Sequence, residues 1–170
     1  MTAPTPAPTP VQPPAETIYD LRTRALTQSP EALGIAPSTT HPTVWGVLME
    51  TGYPEGLATL QVLADGTASL HWGSGGGIVG DSRRLAVREA AQAFLSAAQD
   101  HAAEAAPAED HPLPEVGRVR FHLLAFDGPR GAEGGEAELS DGRHPFSGLF
   151  YAGHGVITQL IELAEAEEAA

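Results

Sequence analysis

The sequence predicts an α+β protein: one mostly antiparallel sheet of about five strands with helices packed on it, in the order α-β-β-β-α-β-β-α. Three observations carry that expectation. Residues 57–72 alternate apolar and polar about Asp65-Gly66, the pattern of a β-hairpin. Val87, Ala91, Phe94, Leu95 and Ala98 recur at helical spacing, so an alanine-rich helix follows. The remaining apolar runs complete the order helix, three strands, helix, two strands, helix, which suits helices laid against a face of one antiparallel sheet.

Residues 1–14 hold six prolines and no charge, without the basic and apolar regions of a signal peptide. They are expected to be a flexible, polyproline-II-biased tail of a cytoplasmic protein. From Ala15 the pattern changes: Ile18, Leu21, Ala25 and Leu26 share one helical face, with Asp20, Arg22 and Arg24 elsewhere, giving a helix to about Gln28. Ser29-Pro30-Glu31 then places a proline at the first position of a helical turn that ends at Gly34. Residues 43–50 have the apolar density of a buried strand, and Tyr53-Pro54-Glu55-Gly56 turns the chain into strand 57–63.

Ala64-Asp65-Gly66 turns it again into strand 67–72, and the register can be argued. A three-residue loop with Gly66 in the left-handed region sets Leu60 opposite Leu70, Val62 opposite Ala68 and Ala58 opposite Trp72, with all six on one face. A two-residue loop would set Val62 against Ser69 and Leu60 against His71, burying polar groups. The first register leaves Thr59, Gln61, Leu63, Thr67, Ser69 and His71 on the wetter face.

Next comes the tract Gly73-Ser74-Gly75-Gly76-Gly77-Ile78-Val79-Gly80, followed by a helix opened by Asp81 or Ser82 and running to about Ala105. Residues 106–115 hold three prolines and read as a loop. Residues 116–126 alternate, with Val119, Phe121, Leu123 and Ala125 on one side and Arg118, Arg120, His122 and Leu124 on the other. Residues 127–135 are glycine-rich and expected to be a mobile loop, and 136–140 a short acidic strand. From Ser147 a final helix presents Leu149, Phe150, Val156, Ile157, Leu160, Ile161 and Ala164. Gly148, Gly153 and Gly155 each cost that helix about 1 kcal/mol against alanine, which suggests close approach of another backbone. Residues 162–170 are expected to fray, so the single domain is placed at 15–165 with an acidic end at 166–170.

Profilin-like and roadblock-like domains share this element order, an analogy that transfers no function. The segments Trp45-Gly46-Val47-Leu48-Met49, residues 70–80 and Arg143-His144-Pro145-Phe146-Ser147 resemble a group of small uncharacterised bacterial proteins. The resemblance covers most of residues 43–165 and implies no activity, cofactor or catalytic residue.

Composition narrows the function classes. The chain has no run approaching a membrane span and no cysteine, which removes disulfides, thiolate metal sites and a thiol nucleophile. Its net charge is -13 and unevenly placed: residues 100–170 carry fourteen acids against four arginines, residues 1–99 eight against five. A surface this negative repels phosphate backbones and anionic lipid, so neither nucleic acid nor membrane is an expected partner, and cationic partners are favoured.

Among candidate sites, Gly75, Gly76, Gly77, Gly80, Ser82, Arg83 and Arg84 are the leading set. Bare amides at a strand-to-helix junction, with two arginines beside them, suit a phosphate or carboxylate. The same tract fits the letter of a dinucleotide fingerprint, but that motif needs a parallel βαβ unit and here a hairpin precedes it. Seven histidines show neither His-Glu-x-x-His nor an i,i+4 pair, so no metal site is assigned. If the strands bearing His71 and His122 are neighbours, these histidines with Arg118 and Arg120 form a cationic strip. Ser74 and Ser147 lack a Gly-x-Ser-x-Gly elbow, His144-Pro145-Phe146-Ser147 reads as a turn and helix cap, and Glu136 and Glu138 read as exposed. No catalytic residue and no cofactor are assigned. The sequence therefore favours a non-enzymatic protein-interaction module acting on a protein partner or on itself. The alternative is an anionic-ligand domain using residues 73–84.

Overall fold

The computed structural model describes residues 18–80 and 83–169. The expected tail at 1–14 and the expected helix start at Asp81 or Ser82 lie outside the described residues. Helix α1 (Ile18–Thr27) and a 3-10 turn (Glu31–Leu33) precede strands β1 (Val44–Tyr53), β2 (Gly56–Leu63), β3 (Ala68–Trp72) and β4 (Gly77–Val79). Helix α2 (Leu85–His101), strands β5 (Ala106–Pro107), β6 (Arg118–Ala125) and β7 (Gly128–Gly135), and helices α3 (Glu136–Ser140) and α4 (Ser147–Ala169) follow. The strands make one antiparallel sheet of seven, in the order β4-β3-β2-β1-β6-β7-β5. The α+β class expected from the sequence is the one observed, with two strands more than the five expected.

Central β1 reads as a continuous apolar run because both of its faces are covered. Its register against β6 shifts between Val44 and Gly46. The bulge sends Val44 to the inner face of the sheet and Trp45 to the outer. The β2–β3 hairpin has the bulged register argued from the sequence: Leu60 faces Leu70, Val62 faces Ala68 and Ala58 faces Trp72. Gly66 has φ 94°, a conformation that an L side chain rarely adopts. Its amide donates to Leu63 O at 3.0 Å, and Asp65 Oδ1 accepts from the Thr67 amide at 2.9 Å.

Helices α2 and α4 lie on the inner face. Val87, Ala91, Phe94, Leu95 and Ala98 are all buried there with Met49, Leu60, Phe121, Leu123, Leu149 and Leu160. α4 drifts relative to the expected face, as a helix of 23 residues does: Leu163 is buried and Ile161 exposed. Gly153 is needed for side chains rather than for another backbone, since a Cβ there would lie 2.8 Å from Met49 Sδ and 3.2 Å from Phe94.

Several expectations are corrected. Residues 128–135 form a strand, not a mobile loop, because each pairs along β6 from Gly128↔Ala125 to Gly135↔Arg118. Backbone pairing holds this glycine-rich segment, with Arg130 and Glu133 supplying its side-chain bonds. Residues 136–140 are helical, with the Glu136 amide donating to Gly117 O at 3.0 Å. The glycine tract contains an edge strand, β4, and α2 opens only at Leu85. α4 stays helical to Ala169 instead of fraying from Glu162. On the outer face, Ala25, Leu26, Leu33 and Ile35 cover Trp45, Leu48, Leu63 and Leu124, so Leu63 and Leu124 are buried rather than wet. No helix among the described residues is long and apolar enough to cross a membrane.

Candidate functional site

Directly opposed residues of antiparallel strands share a face. A single row therefore crosses the outer face from β3 to β7: His71, Thr59, Glu50, Arg120 and Glu133. His122 stands two positions along β6 from Arg120, opposite Leu48. At the centre of this row Glu50 is 0% exposed and His122 1%. A carboxylate removed from water this completely needs donors at both oxygens.

It has them. Arg22 Nε, on α1, reaches Glu50 Oε1 at 2.9 Å and Oε2 at 2.8 Å. Thr59 Oγ1 donates to Oε2 at 2.9 Å. His122 Nε2 lies 2.6 Å from Oε1, and with Glu50 ionised that nitrogen carries the hydrogen. Burial pushes the Glu50 carboxyl up, but hydrogen bonds and charge from His122 and Arg22 outweigh it, and the net direction is down. The other arm of the guanidinium, Arg22 Nη2, donates to His111 O at 2.6 Å and Pro112 O at 3.3 Å. One arginine thus joins α1, the middle of the sheet and the loop before β6. The His111 ring stands edge-on to His122 with centroids 5.4 Å apart. Burial, followed by the charges of His122, Arg22 and Arg120, holds His111 below the ordinary imidazole value.

The expected cationic strip does not form. β2 and β1 separate the strands of His71 and His122, and Glu133 of β7 accepts from Arg118 at 3.0 Å and from Arg120 at 2.7 Å.

The residues of the glycine junction are strung along a turn, an edge strand and a helix start. Gly75 and Gly76, with φ 103° and 87°, make the β3–β4 turn. The Gly75 amide donates to Trp72 O at 3.0 Å and the Gly80 amide to Ala68 O at 2.7 Å, so both are already engaged by backbone. Gly77 pairs with His71 inside β4. A Cβ at Gly80 would lie 2.8 Å from Leu160 and 3.0 Å from Val87, so that glycine serves close packing under α4 and α2. Arg83 and Arg84 are exposed, and Arg84 lines a groove of about 180 Å³ with Gln159 and Glu162. Ser82 lies outside the described residues.

The two candidate serines are placed apart. Ser74 is exposed in the β3–β4 turn, whereas Ser147 is buried as the first residue of α4, its Oγ accepting from the His144 amide at 3.2 Å. Two adjoining grooves of about 330 and 390 Å³ share Ala64, Gln92 and Leu95, one opening toward Asp65 and Arg88 and the other toward Thr39 and His41. Among the described residues no three histidine or carboxylate side chains converge as metal ligands do.

Sequence reasoning missed Arg22, Glu50, Thr59 and His111. Two signals could have found the first pair. Contrary to expectation, Arg22 is not off the apolar face of α1: it stands four residues after Ile18 and three before Ala25, on the side turned to the sheet, and Glu50 continues the buried run of β1. No family model, curated protein or solved structure matches this chain.

Proposed function

We propose that this chain is a small acidic cytoplasmic interaction module, not an enzyme, that engages a protein partner or a second copy through the β4 edge of its sheet. The observation that carries this reading is the state of that edge. Among the described residues β4 has a strand on one side only. The bonds from Gly80 to Ala68 O and from Trp72 to Gly76 O fix the alternation, so Ile78 bonds toward β3 while Gly77 and Val79 direct their amides and carbonyls away from the sheet. Val79 is 69% exposed and Leu85 56%. An edge carrying apolar side chains, with no strand among the described residues on its outer side, suits strand addition. A photo-reactive residue at Val79 is expected to give discrete cross-links in cells, whereas one at Glu165 gives none. Equal labelling at both positions would overturn the reading, and light scattering over a concentration series separates self-association from a foreign partner.

A second reading, an anionic-ligand site at residues 73–84, is favoured by Arg83, Arg84 and Arg88 at the start of α2, where Arg84 provides no side-chain cap. Thermal-shift titration with nucleotides, inorganic phosphate and carboxylates is its test. A shift lost in Arg83→Ala plus Arg84→Ala supports it, and no shift across the panel removes it.

A further inference from the structure

The geometry points to a second interaction surface, independent of the β4 edge. The Glu50 pocket is a receptor for an arginine guanidinium, filled by Arg22, and residues 18–35 are a removable cover that gives way to a basic, arginine-bearing helix of a partner protein.

The carboxylate end of the pocket belongs to the sheet, its carbonyl end to the loop before β6, and neither to the cover. Thr59 and His122, which fix the carboxylate at 2.9 and 2.6 Å, sit on β2 and β6, so the acceptor stays oriented when α1 leaves. The acceptor set matches a planar fork: Nε spans both carboxylate oxygens while Nη2 reaches two backbone carbonyls. An ammonium is a point donor and cannot span that set.

The cover is weakly held by apolar contact. Among the described residues the outer cluster has six buried members against twenty-five in the inner one, and the covering side supplies Ala25 and Ile35 with Leu26 and Leu33 only partly buried. Elements with little buried apolar area open first. Residues 36–43 join the cover to β1 without helix or strand, a tether that allows it to swing clear.

Charge selects the occupant. Residues 18–35 hold Asp20 and Glu31 against Arg22 and Arg24 and are neutral, whereas residues 36–170 hold nineteen acids against seven arginines. A helix with the same apolar stripe and arginine but a net positive charge gains an attraction that the built-in cover lacks. It needs that gain, because a tethered cover competes at an effective concentration on the order of millimolar.

The test uses the full chain in two parts. In the first, Arg22→Ala is titrated with ethylguanidinium and, at equal ionic strength, with ethylammonium, with Arg22→Lys substituting if the alanine variant does not fold. Ethylguanidinium is expected to raise Tm saturably in the millimolar range and ethylammonium is not, and adding Glu50→Gln abolishes the difference. Equal responses to the two cations overturn the receptor. In the second, the unmodified chain receives a synthetic peptide of residues 18–28 carrying Asp20→Lys and Thr27→Lys. Binding is expected to deprotect the chain's own α1 amides in hydrogen exchange, and Arg22→Gln in the peptide weakens it by on the order of 30-fold or more. Failure to bind, or binding that leaves α1 protected, overturns the removable cover. A concentration-dependent dimer with exchanged covers assigns the pocket to a second copy and overturns the foreign partner.

Discussion

Leu123 and Leu124 are neighbours on β6 and both are buried, yet they enter different environments. Leu123 points into the cluster built by the sheet with α2 and α4, while Leu124 meets Trp45, Leu48 and the residues that follow α1. The inner face is held chiefly by apolar volume, with Gln99 of α2 hydrogen-bonded to the backbone of Thr43 and Val44 at its margin. The outer face combines a small apolar cluster with a buried carboxylate, an arginine and a histidine. Apolar packing is non-directional and gains with every added methylene, whereas a buried ionic pair barely repays its own desolvation and acts mainly to fix which partner fits. The inner face is thus built for stability and the outer face for specificity.

The largest effect expected from that contrast is a difference between adjacent leucines. Leu123→Ala should cost about 4 kcal/mol and Leu124→Ala about 2, because the outer cover can close over a cavity that the inner layer cannot. Urea unfolding of both variants checks this, and equal losses would break the distinction between the faces. Glu50→Ala should cost about 3 kcal/mol, the usual consequence of removing one partner of a buried pair. The loss should be local: α1 amides lose protection from exchange while those of α2 and α4 keep it. Loss of protection in all three helices would make the two faces one cooperative unit.

Gly66→Ala, at φ 94°, should cost about 1–2 kcal/mol through backbone strain. It should affect both faces together, because the β2–β3 turn sets the alternation of each. The smallest effect is the pH dependence, which falls in two windows. Glu50 is held below its ordinary value of 4.5, so its contribution is present above 4.5 and is lost as pH falls through the lower folded value. Burial holds His111 and His154 below 6.5, so the unfolded chain takes their protons first and stability begins to fall as pH drops below 6.5. A Tm series from pH 8 to pH 2 should show both limbs, and Glu50→Gln should remove the lower one while lowering His111 further, because the Glu50 charge favours its protonated form.

Much of the inner face was legible because its signals are local. Helical spacing from Val87 to Ala98 named the buried face of α2, and Asp65-Gly66 fixed a hairpin register residue by residue. The candidate site was almost illegible for the opposite reason. Glu50, Thr59, His122 and Arg22 come from four elements, and Arg22 lies 28 residues from Glu50 while His122 lies 72 from it. Only the strand order, with β6 rather than β3 beside β1, brings His122 to Glu50.

Strand β7 illustrates the same division. Its glycine-rich sequence has no side-chain alternation, so nothing along residues 128–135 announces a strand, and pairing with β6 and β5 supplies the cause. Periodicity and turn chemistry act between residues a few positions apart and can be read from the chain alone. That reading yielded the α+β class, the hairpin and the faces of the central helices. Sheet order, the burial of the outer face beneath α1 and the assembly of an ionised cluster depend on contacts between distant segments, whose closure entropy and desolvation are settled only when the whole chain packs.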